Sequence, residues 1–562
     1  MQVLRSGRHT IHSRKLKNRG GQVADNYDQY SKEELLRLLR ERDRKPKFGL
    51  VWERNEIEHD KSLNDDFVAL DFDPALSCGD APFENLIIEG DNFDALRYLR
   101  MTHAGRVNCI YIDPPYNTGN RDFIYNDHFV DKDDAYRHSK WLEFMYRRLT
   151  LAKDLLAEDG VIFISIDDNE FAELKLLCDQ IFSATRFSGA FVWRRRTPSA
   201  MKTDLFSSDH EYVLTYAAPG FRFLGVEKTY EGYANPDDDF RGDWIGGDLT
   251  VGMNKDQRPN QFYDLVNPET GRIYPANPDR IWAFIPESMQ RMIAEKRIVF
   301  PAKKGLQPKL KRFKNELKRD ANPVSTWLSE VGLNSEGSRE IQAILGGQDF
   351  QYPKPSSLIE VLLRASINEN DLVLDFFAGS GTTAHAVMKL NVEDGGKRRY
   401  ILVSSTEATS DAPNKNLCRD VCAERVRRVA QGYTNKKGES VEGLGGSFAY
   451  LRTKRIPVSR VFNDMQHEQV WQALQLIHGV PLIRYDQSVL VQLSGNEDDR
   501  LVYVPKLSKA TLGQVVRLAH LSGRLVVYSW QPGQIKQRVE APNVAFEKIP
   551  EFLVSRFGGM AR

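Results

Sequence analysis

The stretch VNCIYIDPPYNTG, residues 107–119, decides the fold. Val107 to Ile112 form a near-continuous apolar run of strand length, the pattern of a strand buried on both faces of a parallel sheet. Asp113-Pro114-Pro115 must end that strand, because two prolines cannot continue a central one. An acid is thereby placed at a strand's carboxyl end, where open parallel sheets bind their ligands. Upstream, NLIIEGDN (85–92) reads as a strand entering a Gly turn, with the helical FDALRYLR (93–100) after it. Downstream, Trp141, Leu142, Met145, Leu149, Ala152 and Leu156 recur at helical spacing, Gly160 stops the helix, and VIFISIDDNE (161–170) supplies another buried strand ending in acids. Strand, helix and strand predict a right-handed crossover unit.

The same pattern resumes late in the chain. A capped helix starting at Ser356 or Ser357, with Leu358, Leu362 and Leu363, leads into a strand from Asp371 to Phe376. That strand feeds the turn Ala378-Gly379-Ser380-Gly381, and a helix starts near Thr382. Strand, glycine turn, helix is the context in which a ligand can approach the backbone closely. YILVSSTEATSD (400–411) adds a strand with Glu407 just past its end, placed to accept hydrogen bonds from ribose hydroxyls. Together these segments predict an α/β, doubly wound fold.

Composition bounds the rest. At roughly 150 residues per domain, 562 residues imply three or four domains. With 41% hydrophobic and 28% charged residues, 78 basic against 77 acidic, a soluble globular chain is expected and a largely disordered one is excluded. No apolar stretch approaches the roughly 18 residues of a membrane span, and the N-terminus lacks a signal-peptide core, so a cytoplasmic protein without membrane contact is expected. The five cysteines are scattered without zinc spacing, so neither disulfides nor a metal site is expected, and Cys418 and Cys422 read as core.

A net charge of +1 means that any nucleic-acid contact must be local. Residues 1–20 hold six Lys/Arg and no acid, and read as a disordered tail or a phosphate-contacting arm. Ser31 and Glu34 form a capping box for a short amphipathic helix carrying Leu35, Leu36, Leu38 and Leu39. Between Ile181 and Asp349 periodicity weakens, and Gly, Pro, Asn and aromatics predominate, as in an inserted, loop-rich domain. It concentrates positive charge in Arg194-Arg195-Arg196 and in the run Lys296 to Arg319, which includes Lys303 and Lys304; these are the DNA-contact candidates. The domain reading is a basic arm and helix at 1–45, a part carrying the Asp-Pro-Pro strand at 46–185, a loop-rich insert at 186–350, a part carrying the glycine turn at 351–437, and a small α/β domain at 438–562.

DPPY, Asp113 to Tyr116, makes chemical sense as a unit. An exocyclic amine on a base is a poor nucleophile because its lone pair is delocalised into the ring. Hydrogen bonds from the amine to the Asp113 carboxylate and the Pro114 carbonyl would bias the nitrogen toward tetrahedral geometry, and the prolines hold that carbonyl rigid. Tyr116 offers a ring face for an unstacked base, an interaction worth roughly 1–3 kcal/mol. With a sulfonium donor, a neutral thioether leaves, so positioning supplies much of the catalysis.

YIDPPYNTGNRDFIYNDHF (111–129), DDAYRHSKWLEFMYRRL (133–149), GVIFISIDDNE (160–170), YPKPSSLI (352–359) and DFFAGSGTTAHAVMKLN (375–391) resemble the beta-class amino-methyltransferases, especially the modification subunits of type III restriction-modification systems. The likeness spans roughly Ser31 to Arg428. It implies a circularly permuted methyltransferase fold, with the catalytic motif first, the glycine motif second and a target-recognition domain between them; catalysis then falls to 46–185, target recognition to the insert at 186–350 and cofactor binding to 351–437. Asp375 lies 262 positions beyond Asp113, room enough for the insert. The resemblance further implies S-adenosyl-L-methionine as donor and adenine N6 as acceptor, since relatives acting on cytosine N4 usually carry Ser in place of Asp113. Asp113, Pro114, Pro115 and Tyr116 would be catalytic. Asp375, Phe376, Phe377, Ala378, Gly379, Ser380, Gly381, Thr382 and Thr383 would line the cofactor pocket, with Glu407, Lys354, Pro355, Asp91 and Asn92 at further cofactor-side positions. Double-stranded DNA, a homodimer partner and restriction or other defence subunits are the implied partners. VSSTEAT (403–409) departs from the Gln-Leu-Pro-Glu of many relatives, and the chain is shorter than is common for such subunits. The competing readings are an N4-cytosine or RNA methyltransferase, a DNA-recognition subunit needing partners for activity, and a dehydrogenase, which would leave DPPY unexplained.

Overall fold

The computed structural model describes residues 31–33 and 50–559, apart from 55–56, 58–59, 61–62, 120–121, 126–127, 199–205, 304, 319–320, 348–349, 409–411 and 540. Most of the expected basic arm and amphipathic helix lies outside the described residues, as does Lys304.

The first half carries strands β1 (Phe67–Cys78), β2 (Leu86–Glu89), β3 (Val107–Ile112), β4 (Leu156–Ile166), β5 (Phe187–Arg194) and β6 (His210–Ala217). Helix α1 (Asn92–His103) follows β2, α2 (Arg137–Leu155) connects β3 to β4, and α3 (Phe171–Cys178) follows β4. The second half carries β7 (Trp327–Leu328), α4 (Asn334–Leu345), α5 (Ser356–Arg364), β8 (Leu372–Asp375), α6 (Thr382–Asp394), β9 (Arg399–Ser404), α7 (Glu424–Gln431), β10 (Phe448–Ile456) and α8 (His467–His478).

All ten strands form one sheet in the order β1-β10-β2-β9-β8-β3-β4-β6-β5-β7. From β10 to β4 every neighbouring pair is parallel. β3 shows why. Ile110 and Ile112 enter the core on one face with Trp141, Met145 and Leu149 of α2, while Cys109 and Tyr111 enter the core on the other with Leu358 and Leu362 of α5. A strand covered by helices on both sides must be apolar at every position, which is the run seen in the sequence. β8 pairs in parallel with both β3 and β9, so the late glycine-turn strand lies directly beside the early DPPY strand.

Two domain boundaries shift. The segment assigned to the recognition insert from residue 186 begins with β5 and β6, which hydrogen-bond antiparallel into the main sheet through β4. Their apolar residues are interrupted by Ser188, Gly189, His210 and Glu211, so local periodicity hid strands that long-range pairing stabilises. The irregular part lies between β6 and β7. It has its own small sheet (Trp244–Asp248, Lys309–Phe313 and Ile298–Val299) over a core that includes Leu249, Trp282 and Met289. The segment assigned to a separate C-terminal domain from residue 438 likewise contributes β10 to the main sheet, between β1 and β2. Only after α8, which packs on α1 and β1, does a four-stranded sheet follow: β11 (Gln492–Gly495), β12 (Asp499–Val504), β13 (Arg524–Ser529) and β14 (Val544–Lys548). Trp471 of α8, Tyr503 and Tyr528 join the same buried cluster as β1 and α1, so this unit shares the main core.

Candidate active site

Asp113 leaves the carboxyl end of β3, and 26% of its side chain stays exposed, the face a substrate can reach. Its two oxygens accept from the Lys354 ammonium at 2.8 and 2.9 Å. Lys354 also lies 3.5 Å from Glu211 of β6, and Glu211 accepts from the Tyr116 hydroxyl at 3.0 Å. Two acids, one lysine and one phenol therefore form a single cluster, closed by Arg195 at 3.5 Å from the other oxygen of Glu211. Lys354, grouped with the cofactor side in the sequence, sits on the Asp113 carboxylate. A four-residue motif cannot show which strand end a lysine 241 positions away will reach.

The loop is fixed by its surroundings. The indole of buried Trp141 donates to the Pro115 carbonyl at 2.7 Å. Lys354 is held by α4, where Gly337 packs on the YPKP backbone: a Cβ there would lie 2.2 Å from the Pro353 carbonyl oxygen. Glu340 of the same helix accepts from the backbone N–H and hydroxyl of Ser356, just after Pro355, at 3.1 and 2.7 Å.

Burial pushes the Asp113 carboxyl above its usual range, with the Glu211 charge adding to this and the Lys354 ammonium opposing it. Burial pulls Lys354 down, but the Asp113 and Glu211 carboxylates outweigh it and hold the ammonium above its usual value. Tyr116 is pushed far up by burial, then by the charges of Asp113 and Glu211, so its hydroxyl remains a donor.

One strand away, Asp375 ends β8 and organises the glycine turn, accepting from the Thr383 hydroxyl at 2.6 Å and the Phe377 backbone N–H at 3.0 Å. Gly379 and Gly381 have φ of 50° and 76°, the left-handed region that side chains avoid. A Cβ would meet the Phe350 ring at 3.0 Å in the first case and the Cys422 carbonyl oxygen at 3.1 Å in the second. Buried Arg425 of α7 braces the turn from behind, donating to Ser380 at 3.1 Å, Thr382 at 2.7 Å and Glu340 at 3.2 Å. Asn92 donates to the Phe376 carbonyl at 3.0 Å, and Asp91 caps α1 while facing Arg148. Phe376 and Ala378 are buried and Phe377 is half-buried. Glu407 lies three residues beyond β9 on the same sheet edge, at φ 51°, paired with Lys415 at 2.8 Å.

Burial raises the Asp375 carboxyl to about 7, against the hydrogen bonds from Thr383 and Phe377. The folded state therefore holds a proton that the unfolded chain releases near 3.8, and stability from this group is lost as pH rises from about 4 through about 7. Asp375→Asn should remove that slope. In melts from pH 4 to 8 the variant should gain on the wild type by a few kcal/mol on the order of the shift, and parallel melting curves would contradict a proton on Asp375.

The DNA-contact candidates divide. Arg194 pairs with His210 within the sheet, Arg195 faces Glu211, and Arg196 holds Asp209 at 3.2 Å, whereas Lys303 is exposed in the insert. His210 faces the Tyr212 hydroxyl at 2.9 Å. Among the described residues no group of three metal-ligating side chains occurs, and no helix is long and apolar enough to cross a membrane. Glu211, Trp141 and Arg425 were not singled out from sequence as site residues. Glu211 alone left a signal, an acid opening an otherwise apolar strand.

An acid–lysine cluster and a glycine turn at the ends of adjacent parallel strands are the layout of an α/β protein that binds its ligand at the carboxyl edge of the sheet. The chain belongs to the DNA methylase family of N6- and N4-methyltransferases, whose profile matches residues 107–409. Relatives include the StyLTI Mod subunit of a type III restriction-modification enzyme from Salmonella typhimurium, 37% identical over 62% of this chain and 57% of that one. The EcoPI Mod subunit of Escherichia phage P1 is 33% identical over 59% of each chain. The type II methyltransferase M.KpnI from Klebsiella pneumoniae is 31% identical over 63% of this chain and 89% of its own. The chain thus spans under two thirds of the two Mod subunits. Among solved structures, an M1.HpyAVI–SAM complex aligns at 14% identity and TM-score 0.29, over 61% of this chain and 98% of that one.

Proposed function

We propose that this protein transfers a methyl group from S-adenosyl-L-methionine to N6 of an adenine flipped out of double-stranded DNA, as the cytoplasmic modification component of a restriction-modification or related phage-defence system. The observation that carries this reading is the parallel pairing of β3 with β8, which sets the exposed face of Asp113 beside the Gly379–Gly381 turn. The turn fits the proposed donor. Two glycines in the left-handed region leave backbone rather than side chain at the strand ends, with the N-terminus of α6 behind them. The donor supplies the methyl group on a sulfonium.

The chain's own residues do the rest. Asp113 and the Pro114 carbonyl accept the two hydrogens of the amine and bring its lone pair out of conjugation. Tyr116 presents its ring to the base, fixed by its hydroxyl on Glu211. Lys354 holds Asp113 ionised, and an ionised carboxylate has acceptor capacity left for the amine beside the ammonium. Asp91, Asn92, Thr382, Thr383 and Glu407 are the proposed polar surroundings of the cofactor. Arg194 to Arg196 and Lys303 are the proposed DNA-facing cations. The Mod subunits among the relatives support a restriction-subunit partner, with a homodimer as the proposed unit and the β11–β14 sheet as the contact surface.

The test is single-molecule sequencing of DNA from a methylation-free host expressing the chain alone. N6-methyladenine confined to one short motif is the expected result. N4-methylcytosine would overturn the base assignment, and unmodified DNA would put the partner-dependent reading first.

A further inference from the structure

Behind the catalytic loop lies a buried pair that the transfer chemistry does not use. Asn117 directly follows Tyr116, is fully buried and has a φ of 57°. Its amide nitrogen donates to Oε1 of Glu170, also fully buried, at 2.5 Å. The same Oε1 lies 2.6 Å from Nδ1 of His138, whose Nε2 lies 3.1 Å from an Arg137 guanidinium nitrogen. A guanidinium only donates, so Nε2 accepts and a neutral His138 donates from Nδ1 to Glu170. Burial, then the neighbouring Arg137 charge, holds His138 below its usual value and keeps it neutral. Oε1 of Glu170 thus accepts twice. Oε2 of Glu170 and Oδ1 of Asn117 remain, both buried and, among the described residues, both without a hydrogen-bond partner. With Glu170 ionised, both orphans are acceptors, an arrangement folded proteins avoid.

One proton resolves both. We propose that Glu170 is protonated on Oε2 and closes a carboxylic acid–carboxamide pair with Asn117, and that this closed pair latches Tyr116 and the catalytic loop in position for transfer. The O–H donates to Asn117 Oδ1 while Asn117 Nδ2 donates to Oε1. The charged and titratable groups facing Glu170 are Arg137 and His138 of α2, Glu173 of α3 and Asp167 at the end of β4. Burial raises the Glu170 carboxyl to about 8, opposed by the Asn117 hydrogen bond and Arg137 and reinforced by Glu173 and Asp167. Glu170 is a positioning residue: its ionisation opens the pair without touching substrate. The consequence for rate rests on the function proposed above, whereas the proton itself does not.

Glu170→Gln is the discriminating variant, because a glutamine amide can make the same two bonds to Asn117 with nothing to ionise. In thermal melts, the wild type should lose stability relative to Glu170→Gln as pH rises from about 4.5 to about 8, then run parallel above that, since only the folded state holds the proton in this window. In methylation assays on the motif the host experiment reveals, wild-type kcat should fall with an ionisation near 8 that Glu170→Gln lacks. Glu170→Ala should lower kcat at pH 7 by about tenfold or more, and Gln should rescue it. Parallel melting profiles at every pH would overturn the protonated pair. A melting difference with identical kcat profiles would overturn its role in the loop. A melting difference with no methyl transfer to any DNA would refute the proposed function and leave the pair standing.

Discussion

Replacing Asp113 with Asn is expected to lower methyl transfer by about 10³-fold or more while leaving S-adenosylmethionine binding within a few-fold of wild type. The substitution keeps the side chain's volume but removes the charge that draws the amine hydrogens, and positioned proton acceptors of this kind contribute roughly 10²–10⁴-fold. It also turns one acceptor into an N–H facing the Lys354 ammonium, so the lysine should move onto Glu211, already 3.5 Å away. That alternative partner is why the variant should still fold. The glycine turn belongs to the neighbouring strand and is braced by Asp375, Thr383 and Arg425, none of which contacts Asp113 through a hydrogen bond. Burst kinetics and calorimetric titration of the cofactor separate the two effects. Turnover within tenfold of wild type would remove Asp113 from the chemistry, and lost cofactor affinity would show that the two strand ends are not independent.

The second large effect is expected at Lys354. Lys354→Met strips Asp113 of its cation while Glu211 keeps only Arg195, at 3.5 Å, and a neighbouring carboxylate disfavours ionisation of the uncompensated one. The Asp113 carboxyl, already raised by burial, loses the ammonium that opposes the rise and holds a proton more readily. A protonated carboxyl makes a poor acceptor for the amine. kcat should fall on the order of 10²-fold at pH 7 and, in a Glu170→Gln background that lacks the loss expected near pH 8, recover partly toward pH 9. Breaking a buried pair costs about 3–5 kcal/mol when the remaining charge stays uncompensated, so a smaller loss of stability at pH 6 than at pH 9 would report the same proton. A wild-type pH profile in this variant would reduce Lys354 to a packing role.

Some of the site was legible because its logic is local. Asp113-Pro114-Pro115 ends a strand by covalent geometry, and Gly379 and Gly381 stand where the backbone turns through left-handed conformations. Glu211 was missed because its significance is not local. It opens β6, a strand whose neighbours are set by pairing with β4 and β5, and only that pairing brings it to the Tyr116 hydroxyl. Lys354 was assigned a cofactor-side position for the same reason. Its ammonium is steered by the close packing of Gly337 against the Pro353 backbone, a contact between segments with no shared pattern. Arg425 lies just beyond Cys418 and Cys422, which read as core, and only its burial against Ser380 and Thr382 shows that it braces the turn.

The amino-acid order alone determined which strands are buried on both faces, which end in an acid or a glycine turn, and hence the doubly wound class. Those properties follow from residue-by-residue hydrophobicity and backbone freedom. Which strands become neighbours was decided only in three dimensions. β10 returns from the C-terminal region to lie between β1 and β2, β5 and β6 leave the apparent insert to extend the sheet, and β8 inserts between β3 and β9. Strand order depends on covering apolar faces across hundreds of residues, a property of the whole core, and it is this order that assembles Asp113, Lys354, Glu211 and the glycine turn at one edge.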